Sequence, residues 1–524
     1  MAVYLTPGVY VEENLAPANP NSGTASLAVG AFVGIAPKGP TVPTRVRSWA
    51  QYVNIFGGFE NSNGSYLPYA VYQFFANGGA ACYVVRATRT DGVNASATLT
   101  DSTPVGDDPE NPEGPLTAFT VTALAEGEWA NNLSVKVLPT GAPGGRFDLQ
   151  VLENGVVRER FADLSSDPND SRYIISIVNS PYAGSMLITL ANAKLSDPDY
   201  AYDPVNDVVP AQTKTLTGGD DGTGPYDYVE AAKLLEDVPN TNFDLNIPAI
   251  SDSNIINELL EWAETRGNVF LVIDGPKAAE GATSAQVAAG YTGLVEGASA
   301  FTASSYGAVY GPWLMCHDPA SSMYGAVRML PPGGAVLGQM SATDRNRHPA
   351  KAPAGVTTVV ANVLSAEARF TEEELDLLAD AHINVIRLIP GYGHCIFGSR
   401  TLKRTLPDLY VPVRRMLIFM RKALADQTRW AVFEPNGPDL WDRLRIGLNH
   451  YLALVRRAGM LQGLSDAEAF FVRCDEDNNP QSEINAGRVN IDVGLALRYP
   501  AEFIVIKIGQ FDGGTSTAEE SLFG

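Results

Sequence analysis

Cysteine is scarce in this 524-residue chain: Cys82, Cys316, Cys395 and Cys474 are scattered along it, and no C-x-x-C pair occurs. That excludes a disulfide-stapled scaffold and leaves buried, reduced thiols as the expectation. Positive charge is also short, with 37 Lys and Arg against 59 Asp and Glu and a formal net charge of −22. Such a surface repels a phosphate backbone, so no nucleic acid is expected as a partner. No apolar run reaches the ~18 residues of a spanning helix, which argues against direct membrane insertion. The opening MAVYLTPGVYVEE has neither a basic region nor a continuous apolar core of a signal peptide, so folding in the bacterial cytoplasm is the expectation.

The rest of the composition, 45% hydrophobic and 18% charged, is that of a globular protein. At roughly 100 to 200 residues per domain the length suggests three or four units. The acidic, Pro- and Gly-rich segment DSTPVGDDPENPEGP (101–115) reads as a boundary. Beyond it come strand candidates LSVKVL, RFDLQVLE and RYIISIV, ending at the turn-rich GGDDGTGP (218–225), after which strands and helices alternate. The expected class is therefore α+β multidomain. Its divisions are 1–97 (an N-terminal arm and the first part of an inner domain), 98–222 (a β-rich insert), 223–345 (an α/β middle domain) and 346–524 (the rest of the inner domain with a C-terminal strand arm). Helices are expected over 66–77, 371–382, 410–425 and 439–458, the second opened by a Thr371/Glu374 capping box and closed by a left-handed Asn384.

Both ends of the chain read as strands. Val3, Leu5, Val9 and Val11 alternate with polar positions up to Glu12, interrupted by Pro7-Gly8, which confines the strand to an edge. Near the other end Val489, Ile491 and Val493 share one face. A second strand carries Ile504, Ile506 and Ile508 on one face and Phe503 and Val505 on the other. A two-stranded ribbon is marginal alone, and apolar residues on both faces call for more strands. The N-terminal arm could pair within its own chain or with a neighbouring copy.

On the helix at 410–425, Arg414, Arg415, Arg421 and Lys422 fall within about 120° of one another, opposite Met416, Leu417, Phe419, Met420 and Leu424. This basic stripe is either a solvated face or a contact for an acidic partner. An enzyme is the rival reading, because Asp252 and Asp274 follow predicted strands where open α/β folds place ligands. No dinucleotide, phosphate-loop, nucleophile-elbow or zinc-protease signature supports it. No cofactor or metal is expected: His382, His394 and Cys395 lack further ligands.

Several fragments, in this order, resemble the contractile tail sheath family: TPGVYVEE, GPTVPTRVRSWA with FGG (39–58), AVYQFFANGG with YVVR (70–86), SYGAVYGPWL (305–314), PPGGAVLG with ATDR (331–345) and KAPA (351–354). They continue as INVIR, GSRTL (398–402), VRRML (413–417), FEPN with LW (433–441) and PAEFIV (500–505). The chain departs from the family at Phe397 and at His348-Pro349-Ala350, where a tryptophan is usual, and matches it poorly over 98–300. The resemblance implies a structural sheath subunit, not an enzyme, with an inner domain built from both ends of the chain and inserts facing outward. It implies stacked hexameric rings around an inner tube protein, baseplate and cap proteins as partners, and strands exchanged between copies through Val3–Glu13 and residues 488–511. It further implies that the helix with Arg414, Arg415, Arg421 and Lys422 is the candidate face toward the inner tube. The assembled particle would be a phage tail or injection machine.

Overall fold

The computed structural model describes residues 27–59, 64–102, 116–142, 145–180, 183–196, 202–297 and 300–502. Its centre is an eight-stranded sheet built from β1 (Val29–Gly34), β2 (Thr44–Val46), β3 (Cys82–Arg86), β4 (Phe243–Asn246), β5 (Val269–Asp274), β6 (Gly307–Gly311), β7 (Ile383–Ile389) and β8 (Gly393–Ile396), in the order β8-β7-β6-β5-β4-β1-β3-β2. The six inner strands are parallel, and the two edges run antiparallel to their neighbours. Strands such as Val-Phe-Leu-Val-Ile-Asp at β5 are buried along their whole length, as expected of a parallel sheet covered on both faces.

The helices named below are α1 (Trp49–Phe56), α2 (Leu67–Ala76), α3 (Ser253–Arg266), α4 (Gly333–Asn346), α5 (Glu372–Asp380), α6 (Val411–Thr428) and α7 (Pro438–Arg457). α2 and α4 lie together over the sheet, and Gly334 and Gly338, one turn apart, set their distance. A Cβ at Gly334 would stand 2.3 Å from the Ala70 carbonyl oxygen, and one at Gly338 2.6 Å from that of Phe74. The PPGGAVLG fragment is thus a close-packing device. α6 crosses the other end of the sheet: its residues touch Asn242, Gly267 and Tyr306, which stand one or two residues before β4, β5 and β6.

The described residues between 96 and 215 form a β-sandwich, with a sheet of 96–100, 117–123 and 188–192 facing one of 133–139, 147–153, 156–164 and 212–215. Phe119, Val135, Phe147, Leu149 and Leu190 fill its core. It joins the body through two antiparallel segments bridged at Arg89/Tyr226 and Val93/Asp220, with a strap from Lys38 to Glu153 at 2.6 Å. Between body and sandwich lies a cleft of about 610 Å³ at the carboxyl ends of β1 and β3.

Toward the C-terminal side of the chain, α6 packs against α7 around Met416, Phe419, Met420, Tyr451 and Leu452. Onto these folds a two-stranded antiparallel sheet of β9 (Phe470–Arg473) and β10 (Asp492–Leu495).

The mixed, multidomain α/β class expected from the sequence is what the structure shows, with three differences in detail. Residues 223–345 do not stand apart: β4, β5 and β6 are central strands of a sheet shared with residues 29–86 and 383–396. The run at 172–178 holds a short helix, Ile174–Val178, whose Ile174 and Val178 are buried one turn apart; a short apolar run does not by itself distinguish helix from strand. The Thr371/Glu374 capping box is present, but the left-handed residue after α5 is His382, at φ 61°, and Asn384 is buried in β7.

Candidate assembly interface

Of the strand-exchange residues, Val3, Leu5, Val9, Val11 and Glu12, and Phe503, Ile504, Val505, Ile506 and Ile508, lie outside the described residues. Val489, Ile491 and Val493 lie within them. Only 492–495 is strand, so the alternation noted at Val489 and Ile491 precedes the ladder and does not belong to it. Val489 and Ile491 pack on Leu440, Trp441, Leu444 and Cys474, whereas Val493 joins the α6–α7 core. The segment is fixed by side-chain amides. Asn436 donates to the Arg488 carbonyl at 2.8 Å and accepts from Trp441 Nε1 at 2.9 Å, and Asn479 exchanges bonds of 2.6 and 2.9 Å with the Asn490 backbone. This is what the FEPN and LW fragments do.

β9 and β10 pair in register Phe470/Leu495 to Arg473/Asp492, and among the described residues no third strand joins them. The chain then runs past a Leu461/Leu497 bridge to Glu502, held in a fork by Arg400, whose Nη2 lies 2.6 Å and Nε 3.1 Å from Glu502 Oε2. Arg400 also donates to the Ala379 carbonyl at 2.8 Å. Its fragment, GSRTL, therefore ties the last described residue to the α/β sheet. Sequence reasoning missed this link.

α6 does not present the expected basic stripe. Arg415 is 4% exposed and forks between two carboxylates, with Nη2 2.5 Å from Asp244 Oδ2 and 2.6 Å from Asp344 Oδ2, Nε 3.0 Å from Asp244 Oδ1 and Nη1 3.0 Å from Asp344 Oδ1. Burial pushes the Asp344 carboxyl up, while the two carboxylates hold the Arg415 guanidinium charged. Arg414, also 4% exposed, pairs with Asp408 at 2.8 Å and lies over the Tyr306 ring. Lys422 pairs with Asp426 one turn on, at 2.7 Å, and Arg421 lies against Gly267, the left-handed residue ending α3. The helix has two buried faces: Met416, Phe419 and Met420 meet α7 while the arginines meet the sheet. A two-face reading of amphipathicity assigns charge to solvent, and here that is incorrect for Arg414 and Arg415.

The two aspartates of the enzyme reading are both helix caps. Asp252 accepts from the Asn254 and Ile255 amides at the start of α3. Asp274 is fully buried and accepts from Gly333 N at 2.6 Å, Ala249 N at 3.1 Å and Asn246 Nδ2 at 3.1 Å, and burial pushes its carboxyl up to about 6. The crevice beyond the carboxyl end of β5 is filled by the start of α4. All four cysteines are free and buried. No helix among the described residues is long and apolar enough to cross a membrane.

An α/β sheet completed by both parts of the chain, a β-sandwich insert and a terminal β-ribbon define the class: the fold is that of contractile tail sheath proteins, and residues 409–510 match the phage tail sheath C-terminal domain family. Among solved structures, the chain is similar to the helical sheath of the anti-feeding prophage in its contracted state (TM-score 0.56, 22% identity, covering 97% of this chain and 100% of that one). It is also similar to the contracted PVC sheath complex of an extracellular contractile injection system (TM-score 0.55, 21% identity, 98% and 99% covered). A sheath tail protein from Listeria innocua matches at a TM-score of 0.56 with 11% identity over 87% of this chain and 90% of that one. Among curated proteins, the tail sheath protein of Vibrio phage KVP40 is 27% identical over 160 residues, which span 30% of this chain and 23% of that protein.

Proposed function

We propose that this chain is the structural subunit of a contractile sheath. Its copies stack as hexameric rings around an inner tube, on a baseplate and under a cap, and on contraction drive that tube through a target envelope. The observation that carries this reading is the β9–β10 pair. Two strands alone are marginal, and an open ladder edge accepts another strand. Residues 3–11 alternate as such a strand does, and residues 502–508 read as a strand apolar on both faces. In this reading they come from neighbouring copies, so that subunits rotate and slide as rigid bodies while the strand links hold. The division of the chain into an inner part and outer inserts belongs to the same proposal, with the sandwich facing outward.

With Arg414 and Arg415 engaged inside the subunit and Arg421 and Lys422 only partly exposed, we propose that another helix makes the contact with the inner tube. The outer stripe of α7 carries Ile446, 65% exposed, His450 and Leu454, 43% exposed, one turn apart. We assign the tube contact to it. Negative-stain electron microscopy tests the reading. Full-length protein is expected to form cylinders, and deletion of residues 1–13, or Ile504→Glu with Ile506→Glu, to leave folded subunits without them. Unchanged cylinders from both variants refute strand exchange.

A further inference from the structure

The β-sandwich holds a charge cluster that the assembly reading does not use. Lys194, just after the strand 188–192, reaches two carboxylates at once. Its Nζ contacts Oδ2 of Asp101, just after the strand 96–100, and Oδ1 of Asp207, in the loop before the strand 212–215. Asp101 is 1% and Asp207 5% exposed, and the Lys194 side chain 15%. One carboxylate neutralises an ammonium; the second exceeds what an ion pair needs and stands where a proton acceptor would.

The backbone fixes where each oxygen points. Asp101 Oδ1 accepts the Leu116 amide at 2.8 Å and Asp207 Oδ2 accepts the Asp203 amide at 2.7 Å, which leaves Asp101 Oδ2 and Asp207 Oδ1 toward the amine. Main-chain bonds pin the segments that carry them: Asp101 N donates to the Leu116 carbonyl at 2.9 Å, Ala193 N to that of Ala118 at 3.1 Å and Ser102 N to that of Asn206 at 3.1 Å. An amine in contact with one oxygen of a carboxyl group stands beside its carbon, and reactants held in such proximity lose the entropic part of their barrier. An amide aimed at the other oxygen stabilises the charge that develops there during attack.

We propose that Lys194 and Asp101 condense to an intramolecular isopeptide bond, with Asp207 as the acid and base. Burial lowers the Lys194 pKa, but the bonds to Asp101 and Asp207 outweigh it and raise it, so the reaction starts from the ammonium. Asp207 takes a proton from it, the neutral Nζ attacks Asp101 Cγ, and the charge that forms on Oδ1 falls on the Leu116 amide. Asp207 then passes the proton to Oδ2. The Cγ–Oδ2 bond breaks and Oδ2 leaves as water with two of the three ammonium protons, the third staying on the amide nitrogen. No oxidant or cofactor enters, and Asp207 returns to its starting state. The bond joins the ends of the two strands that flank 117–123, across a sequence separation of 93 residues, and such a closure restricts the unfolded chain.

The test is the intact mass of the full-length protein under denaturing conditions, followed by tandem mass spectrometry of its tryptic peptides. The parent is expected to be lighter than its sequence by one water, with Lys194 joined to Asp101 in one branched peptide. Lys194→Arg and Asp207→Asn are expected at their full sequence masses, with circular dichroism confirming that each is folded. A parent at its full sequence mass overturns the bond, whether or not the variants fold. An Asp207→Asn protein that carries the link as completely as the parent overturns the role of Asp207, and a branch from Lys194 to any other carboxyl group overturns the assignment to Asp101.

Discussion

Replacing Arg415 with Met isolates the most deeply buried charge cluster of the subunit. Arg415 stands between Asp244 on β4 and Asp344 on α4, and all three side chains are at most 6% exposed. Methionine fills much of the volume but leaves two carboxylates in the interior without a cation. Removing one partner of a buried ion pair costs about 3–5 kcal/mol, because the remaining charge is stranded out of water. The four short N–H···O bonds of Arg415 place this site toward the upper end of that range. The triple variant Arg415→Met/Asp244→Asn/Asp344→Asn carries no buried charge, so it should recover at least half of the loss; additive effects would instead deepen it. Guanidinium unfolding of the three proteins, followed by tryptophan fluorescence, measures this through the shift in midpoint. A single Met variant within about 1 kcal/mol of the parent, or a triple variant less stable than the single one, refutes the view that α6 is locked to the sheet by this pairing.

Asp274 gives a pH signature. Its folded pKa of about 6 lies above the ~3.9 of an unfolded aspartate. The folded state therefore holds the extra proton, so this group's contribution is fully present below about pH 4 and lost by about pH 6, by up to ~3 kcal/mol. Asp274→Asn should remove that component from the difference in unfolding midpoint measured between pH 4 and 7; identical slopes for variant and parent contradict the assignment. Arg400→Ala should release the segment around Glu502, with backbone amide exchange at Tyr499–Glu502 faster by about fivefold for a partly exposed pair of ~1 kcal/mol. Unchanged exchange contradicts the anchor. Gly334→Val should push α2 from α4, since its side chain would meet the Ala70 backbone, and cost at least about 3 kcal/mol by thermal unfolding.

The helices were legible where period and punctuation agreed: α7 begins at Pro438, as expected of a proline in a first turn, and α5 has its capping box. The sheet order was not, because β1 pairs with β4 across more than two hundred residues and local pattern carries no such information. The arginines of α6 were misplaced for a related reason. The partners of Arg415 are 171 and 71 residues away, and a wheel with one apolar stripe cannot express a helix packed on two sides. A signal existed on the partner strand: Asp244 and Asn246 alternate with Phe243 and Leu245 in a strand buried throughout, and a buried aspartate requires a cation or donors. Asp274 was located correctly at a strand end, but only the structure shows that the start of α4 occupies the place a ligand would take.

The central claim is that copies of this chain complete one another's β-ribbon. Electron cryomicroscopy of the assembled cylinder, at a resolution that traces the main chain across the β9–β10 edges, tests it most directly. The account predicts strands of neighbouring copies on those edges, with residues 3–11 of one copy among them. A cylinder in which the added strands come from the same chain, or in which β9 and β10 stay a lone pair, contradicts it.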